Sequence, residues 1–298
     1  VLAGGEGKRM WPIQTDKCLI PFLGKPLIYH NLQSIEDNIE AEEFIIVVSP
    51  QIKEQVSKIA SNLGLTFQIV TQDSPKGMAN AILSAKELIE GEVLVVNAED
   101  VLDPEAYQLN REGKGGVRVV GLKVSKYFPG GYLQVTAGPH DKWGGVQGIV
   151  EKPGKGNEPS DLVKLVVDYF KDGKKLIGYL EKAQTSKDDA YEVALDLMIK
   201  DGVEVTFTKY DGAWIPLKYP WHILDITEHF LSKVEQQISP TAKVSEKATI
   251  EGNVVIEEGV KVFEGAVIKG PVYLGKNCIV GNNCLIRESN LEEGCVTG

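Results

Sequence analysis

From Ile238 onward the chain repeats every six residues. Aliphatic side chains stand at Ile238, Val244, Ile250, Ile256, Val262, Ile268, Leu274, Val280 and Ile286. Two positions before most of them lies a smaller one: Ala242, Ala248, Val254, Val260, Ala266, Val272, Cys278 and Cys284. A helix repeats every 3.6 residues and a lone strand every two, so neither yields nine consecutive matches at six. A triangular coil does, because each turn stacks its inward side chains on the turn below. The register lapses after Ile286, so the last coil is expected to be unfinished at GCVTG. The opening VLAGG reads as the second half of a strand, and both ends are expected to be clipped.

Upstream the pattern is different. PLIYHNLQSIEDNI, QIKEQVSKIASNLG and GMANAILSAKELI carry apolar residues at helical spacing, whereas EFIIVVSP, TFQIVTQ and EVLVVNAED are buried-strand runs. Strands alternating with helices give βαβ units, hence an α/β, mainly parallel, doubly wound sheet. Ligands on such sheets sit beyond the carboxyl ends of the strands, which here are GGEG, SPQ, TQDSPKG and NAED. The boundary between the two patterns is expected near residue 232, giving a first domain of 1–232 and a coil of 233–298.

Composition excludes several functions. A net charge of −10 argues against a sequence-independent grip on nucleic acid, which needs a basic stripe. It leaves room for a nucleotide, since a few local cations and backbone N–H groups can hold phosphates. No apolar run is long enough to span a bilayer, and the first residues lack a signal peptide's features, so a soluble cytoplasmic chain is expected. Cys18, Cys278, Cys284 and Cys295 form no CxxC pair, and the three late ones are expected to fill packing positions. No two of His30, His140, His222 and His229 stand at metal-ligand spacing.

Chemistry is expected first in LAGGEGKRMWP. Gly4, Gly5 and Gly7 let the backbone approach a ligand and offer N–H groups to an anion. The segment is not a Walker A loop, since Lys8 is followed by Arg9 and no glycine precedes it at the required distance. It also misses the dinucleotide fingerprint, with Met10 where a third glycine would stand. Alone, the segment is equally a tight strand-to-helix connection.

The longer string LAGGEGKRMWPIQTDKCLIPFLGKPLI resembles the signature of the sugar-1-phosphate nucleotidyltransferases, of the glucose-1-phosphate thymidylyltransferase/uridylyltransferase kind. Gly4, Gly5, Gly7, Arg9, Pro12, Lys17, Pro21 and Gly24-Lys25-Pro26 fall in the family's order, with Lys8 for the usual Thr and Asp16 for the proline before Lys17. QDSPKGMANAI resembles the motif in which a Gln and a Gly read a uracil or thymine edge, here Gln72 and Gly77, with Met78 for Thr. Glu151-Lys152-Pro153 resembles the sugar-binding EKP, although such a tripeptide is by itself more often a surface turn. Gly130-Gly131-Tyr132-Leu133 lies where the family sets backbone against the sugar, and WIPLKYPWHILDITEHFL resembles its closing segment. The six-residue repeat is similar to that of left-handed parallel β-helices, many of which trimerise through their coils.

The resemblance implies a Rossmann-like nucleotide-diphospho-sugar transferase domain joined to a left-handed β-helix. It implies an NTP, UTP or dTTP in preference, and a sugar 1-phosphate as substrates, with Mg²⁺ as cofactor. Leu2, Ala3, Gly4, Gly5, Glu6, Gly7, Gln72, Gly77 and Met78 would bind the nucleotide, and Arg9, Lys17 and Asp100 would be catalytic. Gly131, Glu151, Lys152 and Lys164 would bind the sugar phosphate, Lys164 standing where Asn is usual. Asp100 or Glu99 would hold the metal, while the family's second metal aspartate is here Pro216.

Three readings follow: an active transferase, a nucleotide-sugar binder that has lost catalysis, and an acyltransferase of the coils. The last is disfavoured because the final histidine, His229, precedes the repeats. A homo-oligomer, neither membrane-bound nor bound to nucleic acid, is expected. Trp214 and Trp221 are expected to pack, His222 to orient local structure, and SKDDAYE to begin a helix in which Glu192 could touch a sugar.

Overall fold

The computed structural model describes residues 1–5, 7–109, 115–136, 142–185, 187 and 189–298. The chain forms two compact units: Val1–Glu6 with Asn31–Trp214, and Gly7–His30 with Ile215–Gly298. Among the described residues no helix is long and apolar enough to cross a membrane.

The first unit is built on a sheet. Leu2–Ala3, Phe44–Val48 and Phe67–Thr71 pair in parallel, with Leu2 opposite Val47 and Phe44 opposite Phe67. Leu2 also bridges in parallel to Asn97, at the end of Val93–Val96. The helices Lys53–Asn62 and Gly77–Ser84 cover these strands where amphipathic spacing predicts them.

Beyond Val93–Val96 the strand order continues through Leu162–Phe170, Val117–Lys123, Val205–Tyr210, Trp143–Glu151 and Gly131–Val135. Leu162–Phe170 runs antiparallel to both of its main neighbours, so this half is mixed rather than parallel. The reason is connective: among the described residues no helix lies between Val117 and Phe170, and parallel pairing needs a crossover. Val47, Val95, Val119, Leu133, Phe170 and Phe207 form one core with Leu176 and Leu195, from the helices Gly173–Lys182 and Ala190–Lys200.

The coils in the second unit follow the repeat closely. Ile238 lies opposite Ile256 and Ile256 opposite Leu274, Val244 opposite Val262 and then Val280, and Ile250 opposite Ile268 and then Ile286. Every pairing is parallel, and eighteen residues make one turn of three faces. Val254, Val260, Ala266, Val272, Ile268, Leu274 and Val280 are wholly buried between turns, as the six-residue rule requires.

The lapse after Ile286 is not the end of the coil. Ile268 faces Ile286, yet Val272 faces Ser289 and Leu274 faces Leu291, one residue out of step. Where Gly270 and Pro271 turn one corner, Glu288 alone turns the next, at φ 45°. Stacking then resumes with Ile279 on Val296.

Only one late cysteine packs fully. Cys278 is buried and its thiol donates to the Glu292 carbonyl at 3.0 Å, whereas Cys284 is half-buried and Cys295 is exposed.

Candidate functional site

The glycines after Leu2–Ala3 are needed because other side chains occupy their faces. A Cβ on Gly4 would collide with the Gln72 side-chain oxygen, and one on Gly5 would lie 2.9 Å from Glu99 Oε1. Leu2 and Ala3 themselves are buried beneath this turn. The ends of three parallel strands are thus gathered around one glycine pair, as the topology rule predicts. Gln72 is buried, and its amide nitrogen donates to the Gly77 carbonyl at 3.2 Å and to Asn80 Oδ1 at 2.8 Å. It therefore ties the turn to the start of Gly77–Ser84, where Gly77 has φ 85° and Met78 packs against the core.

The two candidate metal carboxylates face different surroundings. Glu99 is half-buried and leans over Gly5. Asp100 is buried, and its charge helps to push the buried Tyr107 phenol above its usual range, after burial itself. Asn31 fixes this bend by donating to the carbonyls of Ala98, at 2.8 Å, and Asp100, at 3.2 Å. Of the two, Glu99 is the one placed against the glycine turn. Among the described residues no group of three or more His, Cys, Asp or Glu side chains could enclose a metal.

A second cluster in this unit forms at the ends of a hairpin. Glu151 lies opposite Gly131, whose missing side chain leaves a notch: a Cβ there would be 3.2 Å from Glu151 Oε2 and 4.0 Å from Glu192 Cγ. Lys152, at φ 47°, turns back so that its ammonium reaches Glu151 Oε1 at 2.7 Å. Burial pushes the Glu192 carboxyl from its ordinary 4.5 to about 7; Lys164 opposes the shift and Glu151 adds to it.

Lys164 is committed elsewhere. Its ammonium lies 2.5 Å from Asp168 Oδ2, which also accepts from the Tyr191 hydroxyl at 2.7 Å. Asp168 Oδ1 has no hydrogen-bond partner among the described residues, and burial raises that carboxyl despite the adjacent cation. Asp168 and Tyr191 are absent from the sequence-derived site. Their signal was available: on a strand, residues 164 and 168 share a face, and LVKLVVDYF is otherwise an apolar run.

The remaining candidates lie in the second unit. Gly7, at φ 63°, leads into Lys8–Met10, and the Arg9 guanidinium lies 5.5 Å from the Tyr219 ring centre. Lys17 is buried along its stem against Gly7, where a Cβ would be 3.3 Å from Lys17 Cγ. Asp16, at the usual proline position, accepts from the Cys18 amide and thiol, both at 3.3 Å. Pro216 is buried. His222 Nδ1 accepts from the Lys218 amide at 3.1 Å, which is the local orienting role expected of it.

Trp221 departs from expectation. It is 60% exposed, stacked on Tyr219 at 4.6 Å, and so does not lock a core. In the first unit Trp214 packs edge-on against Phe128 at 4.6 Å. Glu6 and His140 lie outside the described residues.

Comparison with known proteins identifies the family and the repeat. Residues 1–217 match the family model described as nucleotidyl transferase, and residues 238–288 match the one described as bacterial transferase hexapeptide (six repeats). The chain thus combines a Rossmann-like nucleotidyltransferase domain with a left-handed β-helix. It is 27% identical over 258 residues to the bifunctional protein GlmU of Methanococcus maripaludis, a match covering 85% of this chain and 58% of that protein. It is 29% identical over 265 residues to the bifunctional sugar-1-phosphate nucleotidylyltransferase/acetyltransferase of Sulfurisphaera tokodaii, covering 84% and 61%. The chain spans about three-fifths of the length of these relatives. The UTP-bound UGPase from Acinetobacter baumannii shares the fold, with a TM-score of 0.63 at 18% identity over 77% of this chain and 91% of that one.

Proposed function

Because the chain belongs to the nucleotidyl transferase family, we propose that it transfers a nucleotidyl group from an NTP, UTP or dTTP in preference, to a sugar 1-phosphate. The products are an NDP-sugar and pyrophosphate. The observation that carries this reading is the Gly4-Gly5 turn, kept free of side chains and flanked by Gln72 and Glu99 at the carboxyl ends of parallel strands.

In the reaction, a phosphate oxygen of the sugar 1-phosphate attacks the α-phosphorus in line, and the bond to pyrophosphate breaks. The protein's task is to position and to neutralise. The glycine turn and Gly7 offer N–H groups to the phosphates, and Arg9 meets charge at the α-phosphate with Lys17 assisting. Gln72 and Gly77 set the base, and Leu2, Ala3 and Met78 support that end. Glu151 accepts hydroxyls of the sugar at the Gly131 notch, and Lys152 meets its phosphate. Protonated Glu192 adds a donor to the same notch. Lys164 acts on the sugar end through Asp168 and Tyr191.

Mg²⁺ keeps several waters and binds one or two carboxylates beside substrate phosphates. The donors present fit that habit, with Glu99 leaning over Gly5 and the buried Asp100 as the alternative ligand. When bound, the ion supplies neutralisation of phosphate charge.

The test is pyrophosphate release across a panel of NTPs and sugar 1-phosphates. Release that needs both substrates, and collapses in Arg9→Ala, supports the transferase. Binding of an NDP-sugar without release supports the second reading, a non-catalytic binder, which Pro216 favours by replacing a metal-binding carboxylate. A homo-oligomer through the coils would cover Phe263 and Leu285, both exposed, and light scattering tests it.

A further inference from the structure

The segment Gly7–His30 and the coils belong to one compact unit. They meet at the turn that joins the short antiparallel strands Pro21–Phe22 and Lys25–Pro26. Leu23 and Gly24 both have positive φ there, 49° and 77°. A leucine holds that conformation only where its surroundings over-determine it. The surroundings come from the coils. The Gly24 amide donates to Glu292 Oε2 at 3.0 Å, while Glu292 Oε1 accepts from Asn290 Nδ2 at 2.8 Å, so the carboxylate is held at both oxygens. The Tyr273 hydroxyl closes over Gly24, leaving no room for a Cβ, and donates to Glu257 at 3.4 Å.

Phe230 braces the same segment, 5.8 Å from the Phe22 ring and stacked at 4.5 Å on His30. The path from the turn to Lys17 is short. The Leu27 amide donates to the Ile20 carbonyl at 2.9 Å, and the Ile20 amide to the Lys17 carbonyl at 3.3 Å. Lys17 in turn lies along Gly7.

We propose that the coils position the candidate phosphate-binding residues of their own unit, with Glu292 and Tyr273 as positioning residues that act through the Gly24 turn on Lys17 and Gly7. The inference rests on the transferase reading for the roles of Lys17 and Gly7, and it adds a job for the β-helix beyond stacking. A coil residue far along the sequence thereby governs nucleotide affinity without touching the nucleotide.

The experiment compares Glu292→Ala, Glu292→Gln and the exposed control Glu293→Gln in the full chain. Three measurements are made: UTP binding by calorimetry, the KM values for UTP and sugar 1-phosphate, and amide hydrogen exchange over residues 17–27. Glu292→Ala is expected to weaken UTP about tenfold, a coupling of ordinary size, and to speed exchange in that segment. The KM for sugar 1-phosphate should stay within about twofold, since general destabilisation would not separate the two substrates. Glu292→Gln keeps an acceptor oxygen and should restore most of the loss. In a Lys17→Ala background Glu292→Ala should cost little more.

Wild-type binding of UTP with unchanged affinity and exchange in Glu292→Ala overturns the coupling alone. Equal losses for both substrates, or no rescue by Gln, also overturn it. A wild-type chain that neither binds UTP nor releases pyrophosphate sinks the transferase reading and this inference with it.

Discussion

Lys164 and Asp168 lie four residues apart on one strand and form an ion pair almost wholly removed from solvent, with the ammonium 2.5 Å from the carboxylate. Tyr191 donates to the same oxygen, and the Lys164 ammonium also lies 5.0 Å from its ring. Removing two charges from water costs several kcal/mol each, and only close pairing with added hydrogen bonds offsets it. Breaking the pair therefore differs sharply from replacing it.

Lys164→Met leaves Asp168 buried without its cation and should destabilise the protein by about 3–5 kcal/mol. Lys164→Met with Asp168→Leu should recover most of that loss, because apolar replacement of a buried pair is commonly near neutral. Urea denaturation measures both. A single substitution costing under about 1 kcal/mol would mean that water reaches Asp168.

Arg9→Ala tests the proposed catalytic role of that residue. If Arg9 stabilises charge that develops at the α-phosphate, turnover should fall about 10²-fold with a much smaller change in nucleotide binding. Steady-state kinetics beside calorimetric binding separates the two. Equal losses in both would assign Arg9 to ground-state binding.

The carboxylate pair after Val93–Val96 gives opposed expectations. Glu99 leans over Gly5, whereas Asp100 is buried beside Tyr107. Glu99→Gln should weaken Mn²⁺ binding, read by paramagnetic relaxation of water protons, and leave the thermal midpoint close to wild type. Asp100→Ala should lower the midpoint by several degrees through the cavity and the lost polar contacts. Metal affinity that follows Asp100 instead would reverse the assignment.

Ile268 is wholly buried between turns, while Ile238, on the first coil, is 44% exposed. Ile268→Ala should cost about 2–5 kcal/mol and Ile238→Ala much less, within the range typical of surface changes. Chemical denaturation of the two variants checks the contrast. Similar costs would mean that the first coil is covered in solution by another surface.

The repeat was the most legible feature, because six-residue spacing has one structural solution and inward positions can be read residue by residue. Strand and helix positions in the first hundred residues were legible for the same reason. The one-residue corner at Glu288 was not, since a turn made by a non-glycine residue at positive φ leaves no pattern in spacing. The mixed half of the sheet was also hidden, because a hydrophobic run such as LVKLVVDYF does not state its direction. In the site, motif order led to Gly5, Gln72, Gly131 and Glu151, but motifs are linear and the partners of a side chain are not. The motif therefore offers Lys164 as a ligand contact and says nothing of Asp168 and Tyr191, which pack with it. Trp221 misled for a related reason: a tryptophan beside a helix start usually packs, and here it stacks on Tyr219 at the surface.

Glu192 supplies the pH dependence. Its carboxyl is raised from 4.5 to about 7, chiefly by burial, with Lys164 pulling it down and Glu151 and Asp168 pushing it up. In the unfolded chain it titrates near its ordinary value, so between the two values the folded protein binds more protons than the unfolded one. Stability from this group is therefore full at low pH, falls as pH rises through that window, and is lost above the folded value. Glu192→Gln stays neutral throughout. Its stability should change less between pH about 5 and about 8 than that of wild type, as read from urea midpoints at the two values. If Glu192 also donates to the sugar, the KM for sugar 1-phosphate should rise in wild type as the proton leaves and stay level in the variant. Identical pH profiles for the two proteins would remove Glu192 from both roles.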